Sequence, residues 1–315
     1  MAQKIVVTGA FGYSGSYIAE LLLERGYEVM TLTQSPNRQN FFDGAISVCP
    51  YNFDQPEALV NSLRGTDVLI NTYWVRFNHR DFTHEQAVKN SFKLFDAAVE
   101  AGVKKVIHVS ITNPSLDSDL EYFSGKAEIE GKLKDTGISY TILRPAVLFG
   151  GQDILINNIA WSLRKLPIMG IFGDGTYKLQ PIHVKDLAIL AVSQMNVEHS
   201  AVIDAIGPET YTYRELVRTI GNIIGKNRPL ISISPWFGYW GCKLLGKLVG
   251  DIIITREEIK GLMRGLLCTE SAPSGSTKLS EWAEAHADTL GQHYANELHR
   301  REDRKSSYSE LDSEL

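Results

Sequence analysis

The chain has 315 residues, of which 43% are apolar and 22% are charged, as expected for a folded globular protein with one large domain or two unequal ones. Its formal net charge of −5 excludes the strongly basic balance of many nucleic-acid-binding proteins, so we expect no nucleic-acid partner. The three cysteines are far apart and have no metal-binding or redox spacing, which predicts no metal site and favours a reducing compartment. We therefore expect a cytoplasmic protein.

The first half of the chain alternates apolar strand patterns with amphipathic helix patterns. Strands are predicted at 5–8, 27–33, 45–50, 67–73, 104–110 and 138–145, and helices at 14–26, 56–65, 83–102 and 120–137. This alternation is typical of a parallel sheet that helices cover on both faces. The sequence therefore predicts an α/β fold, with a Rossmann-type doubly wound parallel sheet over residues 1–150.

The pattern becomes less regular after residue 150. Strands are predicted at 180–184 and 201–207, and helices at 213–225, 236–249, 255–266 and 278–301. We expect strands within 180–207 to complete the Rossmann sheet, and residues 151–300 to form a smaller, mostly helical lobe for a substrate or a partner. The polar residues 301–315 predict a disordered tail.

The segment 230–255 is rich in Trp, Phe and Leu. Pro235, Lys243, Lys247 and Asp251 interrupt it, which argues against a transmembrane span. Three interpretations stay open: a packed helix of the second lobe, an apolar lid over a small-molecule substrate, or a surface for a membrane or a partner protein. The last of these would make a cytoplasmic protein peripheral to a membrane.

The segment TGAFGYSG, residues 8–15, joins the first predicted strand to the first helix. Glycine at the first position suits a tight turn, at the second a close approach to a pyrophosphate, and at the third close packing of helix and strand. The helix N-terminus adds N–H groups and partial positive charge for phosphates. The alternative is a simple strand-to-helix turn. The predicted dinucleotide-binding residues here are Gly9, Phe11, Gly12, Tyr13 and Gly15.

The segment after the second strand indicates which dinucleotide is bound. NAD sites usually carry an acidic residue there for the ribose 2′-hydroxyl, but no Asp or Glu lies between Thr31 and Asn40. Ser35 and Arg38 suit a 2′-phosphate, so NADP(H) is favoured over NAD(H); the alternative is that Arg38 is a solvated loop residue. Asp54, after the third strand, is predicted either to contact adenine or to cap the next helix.

Three residues suggest carbonyl–alcohol chemistry. Ser110 ends the fifth strand, and Tyr122 and Lys126 are four apart on a predicted helix, so they share one face. A tyrosine, with a pKa of about 10, is a poor base at neutral pH unless a nearby ammonium favours its phenolate. A serine hydroxyl can polarise the same oxygen, and Lys126 can also hold the nicotinamide ribose. A second YxxxK, at Tyr239 and Lys243, is interpreted as accidental.

The motifs TGAFGYSG, HVSIT, YFSGK, LRPAVLFG and PIHVKDLA, in this order, resemble the short-chain dehydrogenase/reductase superfamily over roughly residues 3–207. They are most similar to its extended and atypical branches, of the NAD-dependent epimerase/dehydratase type. The resemblance implies a Rossmann fold, gives the serine, tyrosine and lysine the roles above, and places Asn71 and Thr72 beside the cofactor. It also implies roles for Arg144 and Pro145 at the start of the substrate side, and for His183 and Asp186 as structural residues at the far end of the sheet.

The chain is also similar to the atypical group that contains the nucleotide-binding accessory subunit of respiratory complex I, whose members can hold NADPH without turnover. Two departures from the superfamily weaken the expectation of activity: Ala87 or Asn90 occupies the region of a common helical asparagine, and Gly125 stands where Ser or Thr is common. We expect an NADP(H)-dependent oxidoreductase or epimerase that acts on a carbonyl or secondary alcohol. The alternative is a non-catalytic NADP(H)-binding assembly or regulatory protein.

Overall fold

The computed structural model describes residues 3–313. Its first elements are β1 (Lys4–Thr8), α1 (Tyr13–Glu24), β2 (Glu28–Thr33), β3 (Ser47–Pro50), α2 (Pro56–Leu63), β4 (Val68–Asn71), α3 (His84–Ala101), β5 (Lys105–Val109), α4 (Glu121–Asp135) and β6 (Ser139–Pro145). They are followed by β7 (Val147–Phe149), α5 (Leu155–Lys165), β8 (Met169–Phe172), β9 (Lys178–Leu179), β10 (Pro181–His183), α6 (Val184–Ser193), β11 (Ala201–Ala205), β12 (Tyr211–Thr212), α7 (Tyr213–Ile223), β13 (Leu230–Ile233), α8 (Pro235–Val249), α9 (Arg256–Met263), α10 (Leu279–Ala285), α11 (Glu297–Glu302) and α12 (Tyr308–Ser313).

Seven strands form one sheet in the order β11–β6–β5–β4–β1–β2–β3. All of their pairings are parallel. Strand β4 is buried along its whole length, as expected when helices flank a parallel sheet. The strand order reverses between β1 and β4, and doubly wound sheets bind their ligands at such a switch point. The predicted Rossmann-type fold is confirmed.

Local sequence signals set the bounds of the long helix α3. Thr83 is its N-cap, and the Thr83 side chain accepts a hydrogen bond from the backbone N–H of Gln86. Gly102 ends the helix with φ of 77°, a left-handed conformation that glycine adopts without steric strain. The pattern from Thr83 to Gly102 therefore corresponds closely to the observed helix.

The chain divides into two compact units. The first runs up to Pro145 and includes Lys185–Ala205, and the second consists of Ala146–Val184 and the residues from Ile206 onward. Strand β11 joins the seven-stranded sheet beside β6. Strand β10, which was also expected to complete that sheet, instead pairs with β7 in a separate two-stranded sheet.

The second unit has its own apolar core. Buried side chains of α5, α7 and α10 form it, among them Ile156, Leu163, Leu216, Ile220 and Leu279. Two further two-stranded sheets, β12–β9 and β13–β8, border this core. Helices α7, α8 and α9 lie close to the positions predicted at 213–225, 236–249 and 255–266.

The single helix predicted over 278–301 is wrong. The structure has α10 and α11 there, separated by residues 286–296. Within this connection Gly291 has φ of 72°. A Cβ at Gly291 would lie 2.3 Å from the backbone nitrogen of Trp161, so the segment packs directly on α5. Asn157 Oδ1 accepts a hydrogen bond from Gly291 N at 3.0 Å. This close tertiary contact outweighs the local helical pattern.

The tail also differs from the sequence-based expectation. Residues 308–313 form the helix α12 instead of a disordered segment, and residues 314 and 315 lie outside the described residues. Ser307 Oγ accepts a hydrogen bond from Glu310 N at 3.3 Å, and Leu311 is buried. The Arg300 guanidinium lies 4.8 Å from the ring centroid of Tyr308. A helix cap and a buried leucine therefore order residues 308–313 as a helix, although this segment is mostly polar.

Candidate functional site

The glycine-rich loop makes a tight turn from β1 into α1. Gly9 has φ of 68°, and Gly12 N donates to Gly9 O at 2.8 Å. A Cβ at Gly15 would lie only 2.2 Å from Gly9 O, so helix and loop could not approach this closely with any other residue. The turn thus requires glycine at Gly9, and the close approach requires glycine at Gly15.

The N-terminus of α1 has the features of an anion site. Gly12 is the N-cap, no side chain caps the helix, and its first turn contains no acidic residue. The first N–H groups of a helix have no acceptor within the helix, and Tyr13 is the first residue of α1. Phe11 packs against Phe42, with ring centroids 6.1 Å apart. This cradle fits the diphosphate of a nicotinamide dinucleotide.

The ends of β1 and β4 are joined by polar side chains. Thr8 Oγ1 donates to Asn71 Oδ1 at 2.9 Å, and Thr72 Oγ1 donates to Thr8 O at 2.5 Å. The remaining amide group of Asn71 donates to His108 Nδ1 at 3.1 Å, and the Asn71 side chain is fully buried. Thr72 Oγ1 lies 3.6 Å from the position of a Cβ on Gly9. Of the two residues, Thr72 therefore borders the glycine loop, and Asn71 holds the strand ends together.

The loop after β2 is ordered around Arg38. Arg38 N donates to Ser35 O at 3.1 Å, and Ser35 N donates to Thr33 Oγ1 at 3.0 Å. The Arg38 residue is only 6% exposed. The alternative that it is a solvated loop residue is therefore wrong. Its predicted contact with a 2′-phosphate stays a prediction.

Asp54 lies on the surface. Its side chain is fully exposed and is 3.6 Å from Lys93 Nζ. The N-cap of α2 is Gln55, whose side chain makes no capping hydrogen bond. The interpretation of Asp54 as a helix cap is therefore wrong, and its predicted contact with adenine stays a prediction.

Lys126 is buried in the first unit, with 2% of its surface exposed. Its Nζ donates to the backbone oxygen of Val109 at 2.8 Å and lies 4.5 Å from the ring centroid of Trp74. Burial lowers the pKa of Lys126 to about 7, and the negative charge of Glu130 partly opposes this shift. The ammonium group is thus solvated by a carbonyl oxygen and an indole face instead of water.

The indole of Trp74 brings Tyr122 and Lys126 together. The Tyr122 ring packs edge-on against it at 5.5 Å, and His84 stacks on its face at 5.4 Å. A Cβ on Gly125 would lie 3.2 Å from Cη2 of Trp74, so a Ser or Thr at this position would press on the indole. This contact is a physical reason for the glycine at 125. Sequence analysis missed Trp74, although it lies only three residues after the end of β4.

Ser110 is hydrogen-bonded to an ion pair between the buried Glu130 and the partly exposed Arg144. Its Oγ donates to Glu130 Oε1 at 2.7 Å. Arg144 donates to both Glu130 oxygens, from Nε at 2.9 Å and from Nη2 at 2.6 Å. Hydrogen bonds to the Glu130 carboxylate raise the pKa of Arg144. The predicted polarising hydroxyl therefore donates its hydrogen bond to Glu130, and Arg144 belongs to this ion pair within the first unit. Sequence analysis missed Glu130, which follows Lys126 by one helical turn.

On α3, the two positions considered for the helical asparagine are both buried. Asn90 Nδ2 donates to the hydroxyl of Tyr73 at 2.9 Å, and Asn90 Oδ1 accepts from Gln86 at 2.8 Å. The Tyr73 ring lies 5.1 Å from that of Tyr51. Asn90 thus positions an aromatic pair near the glycine loop, whereas Ala87 supplies only packing.

Polar residues of the second unit hold the C-terminal segment. Asn157 Nδ2 donates to His293 O and Asn158 Nδ2 donates to Ala295 O, both at 2.9 Å. Arg164 donates to Leu290 O at 2.9 Å. The rings of His183 and Phe149 are 5.1 Å apart within the same unit. Between residues 3 and 313, no cluster of three His, Cys, Asp or Glu side chains has the arrangement of a metal site.

Curated relatives of the chain are named as subunits of NADH dehydrogenases or as an assembly factor of photosystem II. It is 27% identical over 229 residues to the NADH dehydrogenase [ubiquinone] 1 alpha subcomplex subunit 9 of Arabidopsis thaliana, covering 69% of this chain and 57% of that protein. It is 26% identical to the NADH-ubiquinone oxidoreductase 40 kDa subunit of Neurospora crassa, covering 72% and 62%. It is 22% identical to the photosystem II assembly factor Ycf39 of Cyanophora paradoxa, covering 81% and 83%. The chain thus spans less than two thirds of the length of the first two relatives.

Solved structures of reductases have the same fold. The NADPH-dependent quinone oxidoreductase of Escherichia coli, in complex with NADPH, matches with a TM-score of 0.72 at 20% identity, covering 90% of this chain and 99% of that one. The triphenylmethane reductase of Citrobacter sp., in complex with NADP(H), matches with a TM-score of 0.70 at 19% identity, covering 90% and 99%.

The family model described as NmrA-like matches residues 1–227. This range contains the glycine loop, the whole seven-stranded sheet and the helix that carries Tyr122 and Lys126. The resemblance to the atypical branch with the complex I accessory subunit is confirmed by the relatives above. Because the match covers well over half of its residues, the chain belongs to the NmrA-like family.

Proposed function

We propose that this protein binds a nicotinamide dinucleotide and acts as an accessory or assembly protein, without turning over a substrate. The observation that carries the proposal is the state of the two groups that catalysis would need. The Lys126 ammonium is bound to Val109 O and faces the Trp74 ring. The Ser110 hydroxyl donates its hydrogen bond to Glu130. Both groups thus already satisfy partners inside the protein.

The dinucleotide would be held by the glycine loop and its surroundings. N–H groups at the start of α1 would bind the diphosphate, with Thr72 beside the loop. We propose NADP(H) as the preferred form, because the loop after β2 contains no carboxylate and has a buried Arg38. A bound nicotinamide supplies hydride chemistry, but a purely structural role needs only the binding.

The relatives support a protein partner. Two of them are named as mitochondrial subunits of NADH dehydrogenase or NADH-ubiquinone oxidoreductase, and one as an assembly factor of photosystem II. These names describe the relatives, and a protein partner for this chain is part of the proposal. In the described range from residue 3 to 313, no helix has the length and apolar character needed to cross a bilayer. Peripheral association with a membrane complex is compatible with these findings.

A second candidate function is an NAD(P)H-dependent oxidoreductase or epimerase. The observation that favours it is the shared contact of Tyr122 and Lys126 with one indole ring. With its pKa lowered to about 7, Lys126 titrates near neutral pH. Tyr122 would then exchange a proton with a substrate oxygen, while the ammonium form of Lys126 would favour the Tyr122 phenolate. This function requires Lys126 to release Val109 O or to act from its buried position.

Calorimetry with NADPH and NADH tests the proposal, together with a turnover screen on quinones, ketones and nucleotide sugars. We expect binding without turnover. We also expect Arg38→Gln to weaken NADPH binding by roughly tenfold or more with little effect on NADH, because it removes a charge-assisted contact. The matched control is Arg25→Gln, an exposed residue at the end of α1. Turnover that Tyr122→Phe abolishes, with binding intact, would establish the second candidate; no binding of either dinucleotide would reject both.

A further inference from the structure

Helix α8 presents an apolar face to solvent. Five of its large side chains are exposed to between 45% and 78% of their full surface: Trp236, Phe237, Trp240, Leu244 and Leu248. At about 100° per residue they cover an arc of roughly 120°. The opposite face packs inward, because a Cβ on Gly238 would lie 2.5 Å from the Phe172 ring. The exposed arc is therefore the outer face of a helix that is docked on its own unit.

The charged residues of the segment that carries this face have one sign. Residues 226–250 contain four Lys or Arg residues and no Asp or Glu, in a chain with net charge −5. On the helix, Lys243 and Lys247 lie along one border of the apolar arc, and both are exposed. The Lys243 Nζ is 4.9 Å from the ring centroid of Trp240. This cationic border is complementary to a negatively charged surface.

The helix is fixed at both ends. The Ser234 side chain accepts a hydrogen bond from Phe237 N, and Gly250 ends the helix with φ of 65°. Just beyond, the buried Asp251 accepts hydrogen bonds from Tyr294 Oη at 2.9 Å and from Leu298 N at 3.0 Å. The apolar face is thus preformed, and binding requires no folding of the helix.

The length of α8 decides how it can contact a bilayer. Its 15 residues extend over about 22 Å, which is too short to cross the hydrocarbon core. Aromatic and leucine side chains on one face with lysines at its border are typical of helices that lie in the plane of the interface.

We propose that α8 rests on the surface of an anionic lipid bilayer. Trp236, Phe237, Trp240, Leu244 and Leu248 enter the boundary between headgroups and acyl chains. Lys243 and Lys247 contact lipid phosphates and carboxylates from the border of the helix. The contact belongs to the second unit and does not depend on a bound dinucleotide.

Flotation with phosphatidylcholine vesicles, with and without phosphatidylserine, tests this proposal. We expect the full chain to float with the anionic vesicles and only weakly with the neutral ones. The double variant Leu244→Ser/Leu248→Ser should bind roughly tenfold or more weakly, because it removes apolar side chains from the interface. Lys243→Glu/Lys247→Glu should lose the preference for anionic lipid. The matched controls are Leu116→Ser, a 69% exposed leucine of the first unit, and Lys165→Glu, both of which should bind like the wild type.

Melting curves of all variants must match the wild type, since the substituted side chains are exposed. Failure to float with anionic vesicles would overturn the proposal, as would equal binding by the leucine variant. Concentration-dependent self-association that the leucine variant abolishes, without vesicle binding, would assign the face to a second copy of the chain. NADPH binding, measured on the same samples, reports on the proposed function separately.

Discussion

The Lys126 side chain combines full burial with a position near a second ionisable group, Glu130. Its Nζ contacts Val109 O and the Trp74 ring, and Glu130 lies one helical turn further along α4. Burial disfavours the charged form, which is why the pKa is lowered. Sequence analysis identified this lysine and its tyrosine partner from their spacing. It did not identify the indole between them, because spacing carries no information on what covers a side chain.

The lowered pKa of Lys126 predicts a pH-dependent stability. The folded chain has a pKa of about 7 and the ordinary value is 10.5, so the unfolded chain binds more protons between these two pH values. The free energy of unfolding therefore rises with pH across this window. At lower pH, Lys126 is protonated in both the folded and the unfolded chain, so this group adds no further pH dependence. We expect Lys126→Met to lose this rise, so that the wild type gains about 2 kcal/mol over the variant between about pH 7 and about pH 9. Urea unfolding at several pH values measures it.

The matched control for this prediction is Lys165→Met, since Lys165 is exposed at the end of α5. Its difference from the wild type should not change with pH. A difference between Lys126→Met and the wild type that is constant from neutral to alkaline pH would contradict the assignment of a lowered pKa to Lys126.

Gly15 gives a second prediction for a single residue. Because a Cβ there would lie 2.2 Å from Gly9 O, Gly15→Ala must push α1 away from the loop. We expect it to reduce the free energy of unfolding by about 2 kcal/mol or more and to abolish dinucleotide binding. Gly131→Ala on α4 is the control, because nothing lies within 4 Å of its Cβ position. It should be neutral or stabilise by up to about 1 kcal/mol; thermal melts that rank the two variants in the opposite order would refute this packing argument.

Among the elements, α8 and the C-terminal segment are linked through one carboxylate. Asp251 accepts hydrogen bonds from Ile252 N, Tyr294 Oη, Glu297 N and Leu298 N. Asn296 Nδ2 adds a bond to Val249 O at 2.9 Å. Polar contacts between residues more than 40 positions apart in the chain thus hold this segment. They replace the continuous helix that the sequence pattern predicted for 278–301.

Removal of this carboxylate should release the segment. In Asp251→Ala, three N–H groups and a buried hydroxyl lose their acceptor, which we expect to cost about 2 kcal/mol or more. Limited trypsin digestion should then cleave faster at Arg300 and Arg301. Asp288→Ala, at an exposed position of the same unit, is the control. Equal digestion rates for Asp251→Ala and the wild type would disprove the anchoring role.

At the scale of the whole molecule, sequence patterns predicted the first unit better than the second. Every strand predicted in the first 145 residues is present. Strands such as β1 and β4, which are buried on both faces, produce continuous apolar runs. The second unit contains short elements such as β7, β8 and β13, of three or four residues each, which produce no clear period. Its helix α5 was also missed. Short strands that pair across long sequence separations are determined by tertiary contacts.

The sequence by itself determined the fold class, the glycine loop and the helical face with Tyr122 and Lys126, because these depend on local spacing and on backbone freedom. Only the tertiary structure decided what these groups contact. Ser110 donates to Glu130, and Lys126 is enclosed by Trp74 and Val109 O. Likewise, the aromatic composition of 230–255 left three interpretations open, and packing of the opposite face decided which side of α8 is exposed. Burial and hydrogen-bond partners arise from residues that are distant in the chain, so no local pattern contains them.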